Sequence, residues 1–247
     1  MRNFGLIGFP LEHSFSEKYF TEKFSHENIS DCSFNLYPLK SIKEFPELIS
    51  SVKFDGLSVT IPYKQAIIPY LNHLDDVALA VGAVNCIKFD YSNEQGALSG
   101  YNTDVFGFEA LLHKLRIPKN TKALVLGSGG ASQAVTYVLR KNNIEFNVVS
   151  RKPSSNEIIN YSELNHDILE SHQIIINTTP VGMYPDVKKC PDIPFQFITS
   201  EHICIDLIYN PSRSLFLKQS EKQGVRMANG LIMLYAQADK SWEIWNK

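Results

Sequence analysis

The chain has 247 residues, 44% hydrophobic and 20% charged, with a net charge of −2. That length carries one large core or two smaller ones, and the composition is that of an ordinary soluble globular protein. The near-neutral balance excludes the basic field of a nucleic-acid binder. Cys32, Cys86, Cys190 and Cys204 are widely spaced with no C-x-x-C pair, so neither a zinc site nor a disulfide framework is expected. They read as reduced, buried cysteines of a cytoplasmic protein. Residues 1–10 lack the apolar core of a signal peptide, and no continuous run is long enough to span a bilayer.

In chain order, residues 4–7 read as a strand. Residues 16–26 follow as a helix, with Tyr19, Phe20, Lys23 and Phe24 at helical spacing. Strands are predicted at 33–37 and 56–60, separated by a helix over 42–52 that Pro46 interrupts. Residues 84–89 and 97–101 form a strand pair joined by a polar turn at 90–95, which makes the sheet of this half mixed. From Val105 the pattern changes: Phe108, Leu111, Leu112 and Leu115 make one helical face, and 118–122 is a polar connector. Strands at 123–126, 145–150, 173–177, 203–207 and 225–228 then alternate with helices at 131–140, 161–170 and 212–223. That spacing is repeated βαβ, hence a parallel sheet with helices on both faces. An apolar-rich helix over 231–245 closes the chain and packs back on the first half. The expected fold is α/β in two domains: an N-terminal α/β substrate domain with a mixed sheet, residues 1–103 completed by 231–247, and a Rossmann-type parallel-sheet domain, residues 104–230. A cleft between two such domains is a favoured place for a ligand.

The most informative stretch is Ala123-Leu-Val-Leu-Gly-Ser-Gly-Gly-Ala-Ser132. An apolar strand ends in Gly127, Gly129 and Gly130, with Ala131 and a helix directly after them. Glycines let a backbone turn tightly against a phosphate, and a helix N-terminus attracts its charge. The alternative, an ordinary strand-to-helix turn, is opposed by that context. In NAD-binding proteins an acidic residue about 20 positions on holds the ribose 2′-hydroxyl. Here Ser150, Arg151 and Lys152 end the next strand. A carboxylate repels a 2′-phosphate and a guanidinium grips it, so the chain leans towards NADP. Lys152 also fits a solvated cation.

Three polar clusters of the first half follow or end strands: Glu12-His-Ser-Phe-Ser16, Ser58-Val-Thr-Ile-Pro-Tyr-Lys64 and Gly100-Tyr-Asn-Thr-Asp104, the last preceded by Gly82-Ala-Val-Asn85. Their hydroxyls, amides, cation and carboxylate suit a small polyhydroxylated acid. Each has a plainer reading: Ser14 with Glu17 as a capping box, Ser16 as an N-cap, Asp104 as the cap of the next helix, Lys64 as a solvated lysine at a helix start.

His13-Ser-Phe-Ser16, Val59-Thr-Ile-Pro-Tyr-Lys64, Gly82-Ala-Val-Asn85, Asn102-Thr-Asp104, Gly127-Ser-Gly-Gly-Ala131, Asn177-Thr-Thr-Pro-Val-Gly182 and Asn229-Gly-Leu-Ile-Met-Leu-Tyr-Ala-Gln237 occur in the order seen in shikimate dehydrogenases, and the chain resembles that family along essentially its whole length. The resemblance implies reversible reduction of 3-dehydroshikimate to shikimate with NADPH, in aromatic amino acid (chorismate) biosynthesis. It implies Lys64 and Asp104 as the catalytic pair. Ser14 and Ser16 match the serines on the substrate carboxylate, Thr60, Asn85 and Gln237 match groups on ring hydroxyls, and Tyr209 matches a tyrosine near the carboxylate. Gly127, Gly129, Gly130 and Ala131 match the pyrophosphate loop, Arg151 the 2′-phosphate arginine, and Leu207 and Gly230 residues beside the nicotinamide. No metal is implied, and the partners are a small-molecule substrate, with neither nucleic acid nor membrane, in a monomer or homodimer. The chain departs from the family at Val105, usually glycine, and at Ser150, frequently asparagine; it also stops soon after Trp245. Two rival readings are a sister enzyme oxidising quinate as well as shikimate with NAD or NADP, and a non-catalytic quinate or shikimate sensor. A sensor needs no proton-transfer pair.

Overall fold

The computed structural model describes residues 1–12, 14–92, 96–152 and 158–247. His13 of the first polar cluster, and residues 93–95 of the turn expected at 90–95, lie outside the described residues. The chain divides into two compact units, Met1–Thr103 with Ala238–Lys247, and Asp104–Gln237.

The strands of the first unit are β1 (Arg2–Gly8), β2 (Cys32–Pro38), β3 (Gly56–Val59), β4 (His73–Leu74), β5 (Cys86–Asp90) and β6 (Ala97–Tyr101). They align in the order β2-β1-β3-β5-β6-β4. β1 is parallel to β2 and β3, whereas β5 is antiparallel to β3 and β6, so the sheet is mixed. β1 is apolar at successive positions because both its faces are covered. Phe4 and Leu6 enter a core with Phe20, Phe24, Phe34 and Trp245, while Ile7 enters another with Phe45, Phe54, Leu57 and Ile67. Helix α1 (Phe15–His26) buries Phe20 and Phe24, one turn apart. Phe20 stacks on Phe34 with ring centroids 4.5 Å apart.

The helix expected over 42–52 is instead a 3-10 turn at Ile42–Glu44 followed by α2 (Phe45–Ser51). Pro46 lies in the first turn of α2, where its missing N–H leaves no bond unmade; it starts the helix rather than interrupting it. The sequence reading passed over α3 (Asp76–Val81), six residues capped by the Asp75 side chain on Ala78 N at 2.7 Å, and the two-residue β4. Both are too short for periodicity to register.

The second sheet follows α4 (Thr103–Leu115), which begins two residues earlier than the expected start at Val105. Its elements are β7 (Lys122–Leu126), α5 (Gly130–Lys141), β8 (Glu145–Ser150), β9 (Ile158–Asn160), α6 (His166–Ser171), β10 (Ile174–Asn177), β11 (Ile203–Asp206), α7 (Leu215–Glu221) and β12 (Arg226–Asn229), followed by α8 (Leu231–Trp245). The strand order is β12-β11-β10-β7-β8-β9, and every pairing is parallel. Counted from β7, this is 3-2-1-4-5-6, the order of dinucleotide-binding sheets, with its direction reversing between β7 and β10. The central strands are continuous apolar runs because helices and loops cover a parallel sheet: Ala123, Leu124, Val125, Leu126, Ile174, Ile175 and Ile176 are all 0% exposed. The helix expected over 161–170 is split into a 3-10 turn at Tyr161–Glu163 and α6, because Asn165 restarts it by capping Ile168 N at 3.0 Å. The helix expected from 212 starts only at Leu215, since Ser214 is its N-cap.

Trp245, at the end of α8, donates its indole N–H to Ile87 O at 3.0 Å and belongs to the first unit's core. All four cysteines are free; Cys86 and Cys204 are buried, but Cys32 and Cys190 are only half-buried, against the expectation that all are buried. Among the described residues no helix is long and apolar enough to cross a membrane.

Candidate active site

Gly127 leaves β7 with φ +110°, in the left-handed region, and its N–H bonds Val149 O at 2.8 Å. A Cβ at this position would lie 2.8 Å from Thr178 Oγ1 and 2.9 Å from Thr179 Cγ2, so only glycine lets the loop after β7 pass the loop after β10. Gly129 is the N-cap of α5, with no side-chain cap bond and no acidic residue in the first turn, and a Cβ there would meet nothing within 4 Å. The result is an open, uncapped N-terminus of a 12-residue helix at the switch point of the sheet. Its N–H groups and dipole fit a pyrophosphate.

At the end of β8, Ser150 is buried, and its Oγ lies 3.3 Å from Ser128 Oγ and accepts from Lys152 N at 3.3 Å. This turn carries Arg151 and Lys152, both exposed, with Asn160 Nδ2 donating to Arg151 O at 3.5 Å. Burial pushes the nearby Tyr161 hydroxyl up to about 12 against the pull of Arg151. Arg151 and Lys152, with no carboxylate beside them in the described residues 148–152, fit a 2′-phosphorylated ribose.

Leu207 and Gly230 meet directly. A Cβ on Gly230 would lie 2.0 Å from Leu207 O, and Gly230 N donates to Ile208 O at 3.2 Å. The sequence keeps glycine here because one backbone runs against another. Tyr209 is half-buried two residues beyond Leu207. Gln237, on α8, donates from Nε2 to Leu234 O at 2.9 Å.

In the first unit, Lys64, Thr60 and Asn85 share one strand end. Val59 N bonds Asn85 O at 2.8 Å and Val84 N bonds Lys64 O at 2.7 Å. Lys64 lies in a turn after β3, not at a helix start. Asn85 is 3% exposed, and its amide clamps Thr103: Thr103 N donates to Oδ1 at 2.7 Å and Nδ2 donates to Thr103 Oγ1 at 3.0 Å. Asn102 Nδ2 bonds Ala83 O at 2.8 Å. Asp104, the next residue of α4, is 4% exposed. Ser14 is the N-cap of α1, its Oγ accepting from Ser16 N at 3.3 Å, which puts Ser16 in the first turn rather than at the cap.

A family model described as "Shikimate dehydrogenase substrate binding domain" matches residues 6–87. A protein of Methanococcus maripaludis named "Shikimate dehydrogenase (NADP(+))" is 39% identical over 98% of this chain and 90% of its own length. The chain belongs to the shikimate dehydrogenase family. Among solved structures, shikimate dehydrogenase 1 from Peptoclostridium difficile superposes with a TM-score of 0.84 at 36% identity, covering 100% of this chain and 92% of that one. Shikimate 5-dehydrogenase from Thermus thermophilus, solved with NADP(H) and shikimate, gives 0.86 at 28% identity, over 99% and 93%.

In this member of the shikimate dehydrogenase family, sequence reasoning missed the buried polar groups behind the switch point. Asp206 and Asn177 are 0% exposed and Ser214 is 1% exposed. Asp206 accepts from Asn177 Nδ2 at 3.0 Å, from Ile208 N at 3.0 Å and from Ser214 Oγ. Burial raises the Asp206 carboxyl to about 6, against the lowering effect of these three neutral donors. The signal lay in the sequence as polar residues ending two apolar strands, Ile-Ile-Ile-Asn177 and Ile-Cys-Ile-Asp206.

Proposed function

We propose that this chain catalyses the reversible, NADPH-dependent reduction of 3-dehydroshikimate to shikimate, the oxidoreductase step its family performs in aromatic amino acid (chorismate) biosynthesis. The observation that carries the reading is the uncapped, glycine-opened N-terminus of α5 at the switch point of a 3-2-1-4-5-6 sheet, in a chain 39% identical to an NADP(+) shikimate dehydrogenase. When bound, NADPH supplies the hydride.

Residues 104–230 hold the dinucleotide, and residues 1–103 with 231–247 hold the acid. Gly127, Gly129, Gly130 and Ala131 receive the pyrophosphate, and Ser150 presents Arg151 and Lys152 to the 2′-phosphate. Leu207 and Gly230 flank the nicotinamide. Ser14 and Ser16 donate hydroxyl protons to the substrate carboxylate, with Tyr209 beside it, and Thr60, Asn85 and Gln237 bond ring hydroxyls. Lys64 delivers the proton to the oxygen of the carbonyl being reduced, or carries the positive charge that stabilises it, and Asp104 orients a ring hydroxyl as acceptor. Asn85 has a second duty, since its amide also holds Thr103, the residue before Asp104. The protein acts in the cytoplasm as a monomer or homodimer.

Purified protein mixed with shikimate and NADP, followed by NADPH absorbance, tests the reading. Turnover with this pair, and markedly less with quinate or NAD, is expected. Preference for quinate or NAD assigns the chain to the sister activity, and no turnover with any pair removes the enzymatic reading.

A further inference from the structure

We propose that Asp206 is a positioning residue for dinucleotide binding: its buried carboxylate holds the loops after β10 and β11 against the glycine loop after β7. The inference rests on the dinucleotide-binding reading above and concerns residues that reading does not use.

The network is continuous. Asp206 fixes the orientation of the Asn177 amide by accepting from its Nδ2 at 3.0 Å. The other end of that amide, Oδ1, accepts from Thr179 N at 3.0 Å and Thr179 Oγ1 at 2.7 Å. Thr179 Oγ1 in turn accepts from Val181 N at 3.3 Å. Thr179 and Thr178 are the residues that press on Gly127, and Thr178 is anchored to Leu126 O through its N at 3.0 Å and its Oγ1 at 2.7 Å. In the other direction, Asp206 holds Ile208 N at 3.0 Å, and Ile208 O receives Gly230 N at 3.2 Å. Its second oxygen receives Ser214 Oγ, which caps α7 by accepting from Leu217 N at 3.2 Å. One side chain therefore sets the exits of β10 and β11, the start of α7 and the approach to α8.

The residue type is chosen for acceptor geometry. Three donors converge on two oxygens, and a carboxylate accepts all three without needing to donate. An asparagine of the same shape presents an NH₂ to one of these donors, so one bond is lost or a donor must turn. A buried carboxylate whose partners among the described residues are all neutral is costly, which argues against stability as its main contribution.

The test is direct titration of NADP into wild type, Asp206→Asn and Thr179→Val, with circular dichroism and melting curves run alongside, so that binding is read without turnover. Thr179→Val keeps the branched shape and removes one hydroxyl of the relay. The expected result is at least a tenfold rise in the NADP Kd for Asp206→Asn and about threefold for Thr179→Val, with folded, cooperatively melting protein in both cases. A role confined to stability moves the melting temperature and leaves both Kd values within twofold of wild type, which overturns the proposal. If Asp206→Asn does not fold, the Thr179→Val Kd decides alone by the same criterion. Wild type that binds NADP but does not oxidise shikimate removes the enzymatic reading and leaves this one standing; wild type that does not bind NADP removes both.

Discussion

The two sheets hold their functional groups by opposite means. In Met1–Thr103 the candidate groups are side chains, Ser14, Thr60, Lys64 and Asn85, carried on turns whose backbone is pinned by bonds such as Val84 N to Lys64 O at 2.7 Å. In Asp104–Gln237 the candidate groups are largely backbone: the uncapped N-terminus of α5, Gly127, and the contact of Gly230 with Leu207 O. In the first arrangement the chemistry sits in side chains, and two of them also hold structure: Asn85 clamps Thr103 and Ser14 caps α1. The second loses geometry when a single carbon is added. The ligands explain the division, since phosphates are met by N–H groups at close range, whereas a polyhydroxylated acid needs donors and acceptors of several lengths.

Lys64→Ala tests the chemical half and has the largest expected effect. Its backbone bond to Val84 survives, so kcat should fall by about 10²- to 10⁴-fold, the usual yield of a positioned acid, in protein that still folds. Near wild-type turnover in the absorbance assay removes Lys64 from the reaction.

Asp206 gives a pH test of the backbone half. Its folded pKa of about 6 lies above the ordinary 3.8. The folded chain therefore holds the extra proton, and stability from this group is present below about pH 4 and declines as pH rises through about 6. The size is on the order of 3 kcal/mol from the shift of about two units. In denaturant melts across pH 4–7 the stability of wild type relative to Asp206→Asn should fall as pH rises; a wild-type-minus-variant difference that is flat with pH refutes the assignment.

Gly230→Ala sharpens the same half from the steric side. The added carbon meets Leu207 O at 2.0 Å, a backbone atom with no rotamer to escape to. A loss of about 1–3 kcal/mol in a urea melt is expected for such overpacking, with weakened NADP binding. Full stability would mean that α8 shifts freely. Arg151→Ala acts on the cofactor alone: the KM for NADP should rise about ten- to a hundredfold, the worth of one or two charge-assisted bonds, while that for NAD stays put. Equal responses by both cofactors show that the guanidinium does not read the 2′-phosphate.

Much of this was legible in the chain. The strand–glycine–helix run at 123–132 is a local pattern, and the apolar strands of a parallel sheet announce themselves by composition. Elements shorter than two turns escaped, as with α3 and β9, because a period needs several repeats to be seen. Pro46 begins α2 instead of interrupting a helix, because whether a proline breaks or begins a helix depends on where the preceding turn ends. Asn177 and Asp206 showed only as polar ends of apolar strands, and their joining with Ser214 was not legible, since Asn177 and Ser214 lie 29 and 8 residues from Asp206 along the chain.

By itself the sequence determined the alternation of elements, the glycine loop, the absence of a carboxylate at the end of β8 and the inventory of polar groups, because each is written in neighbouring residues. Only the tertiary structure decided that two distant polar side chains, Asn177 and Ser214, share the buried Asp206 carboxylate, that Asn85 holds Thr103, and that Gly230 must be glycine. These depend on which chain segments the packed sheets bring within a few ångströms, and burial, not proximity in sequence, makes an unsatisfied donor or an extra carbon costly.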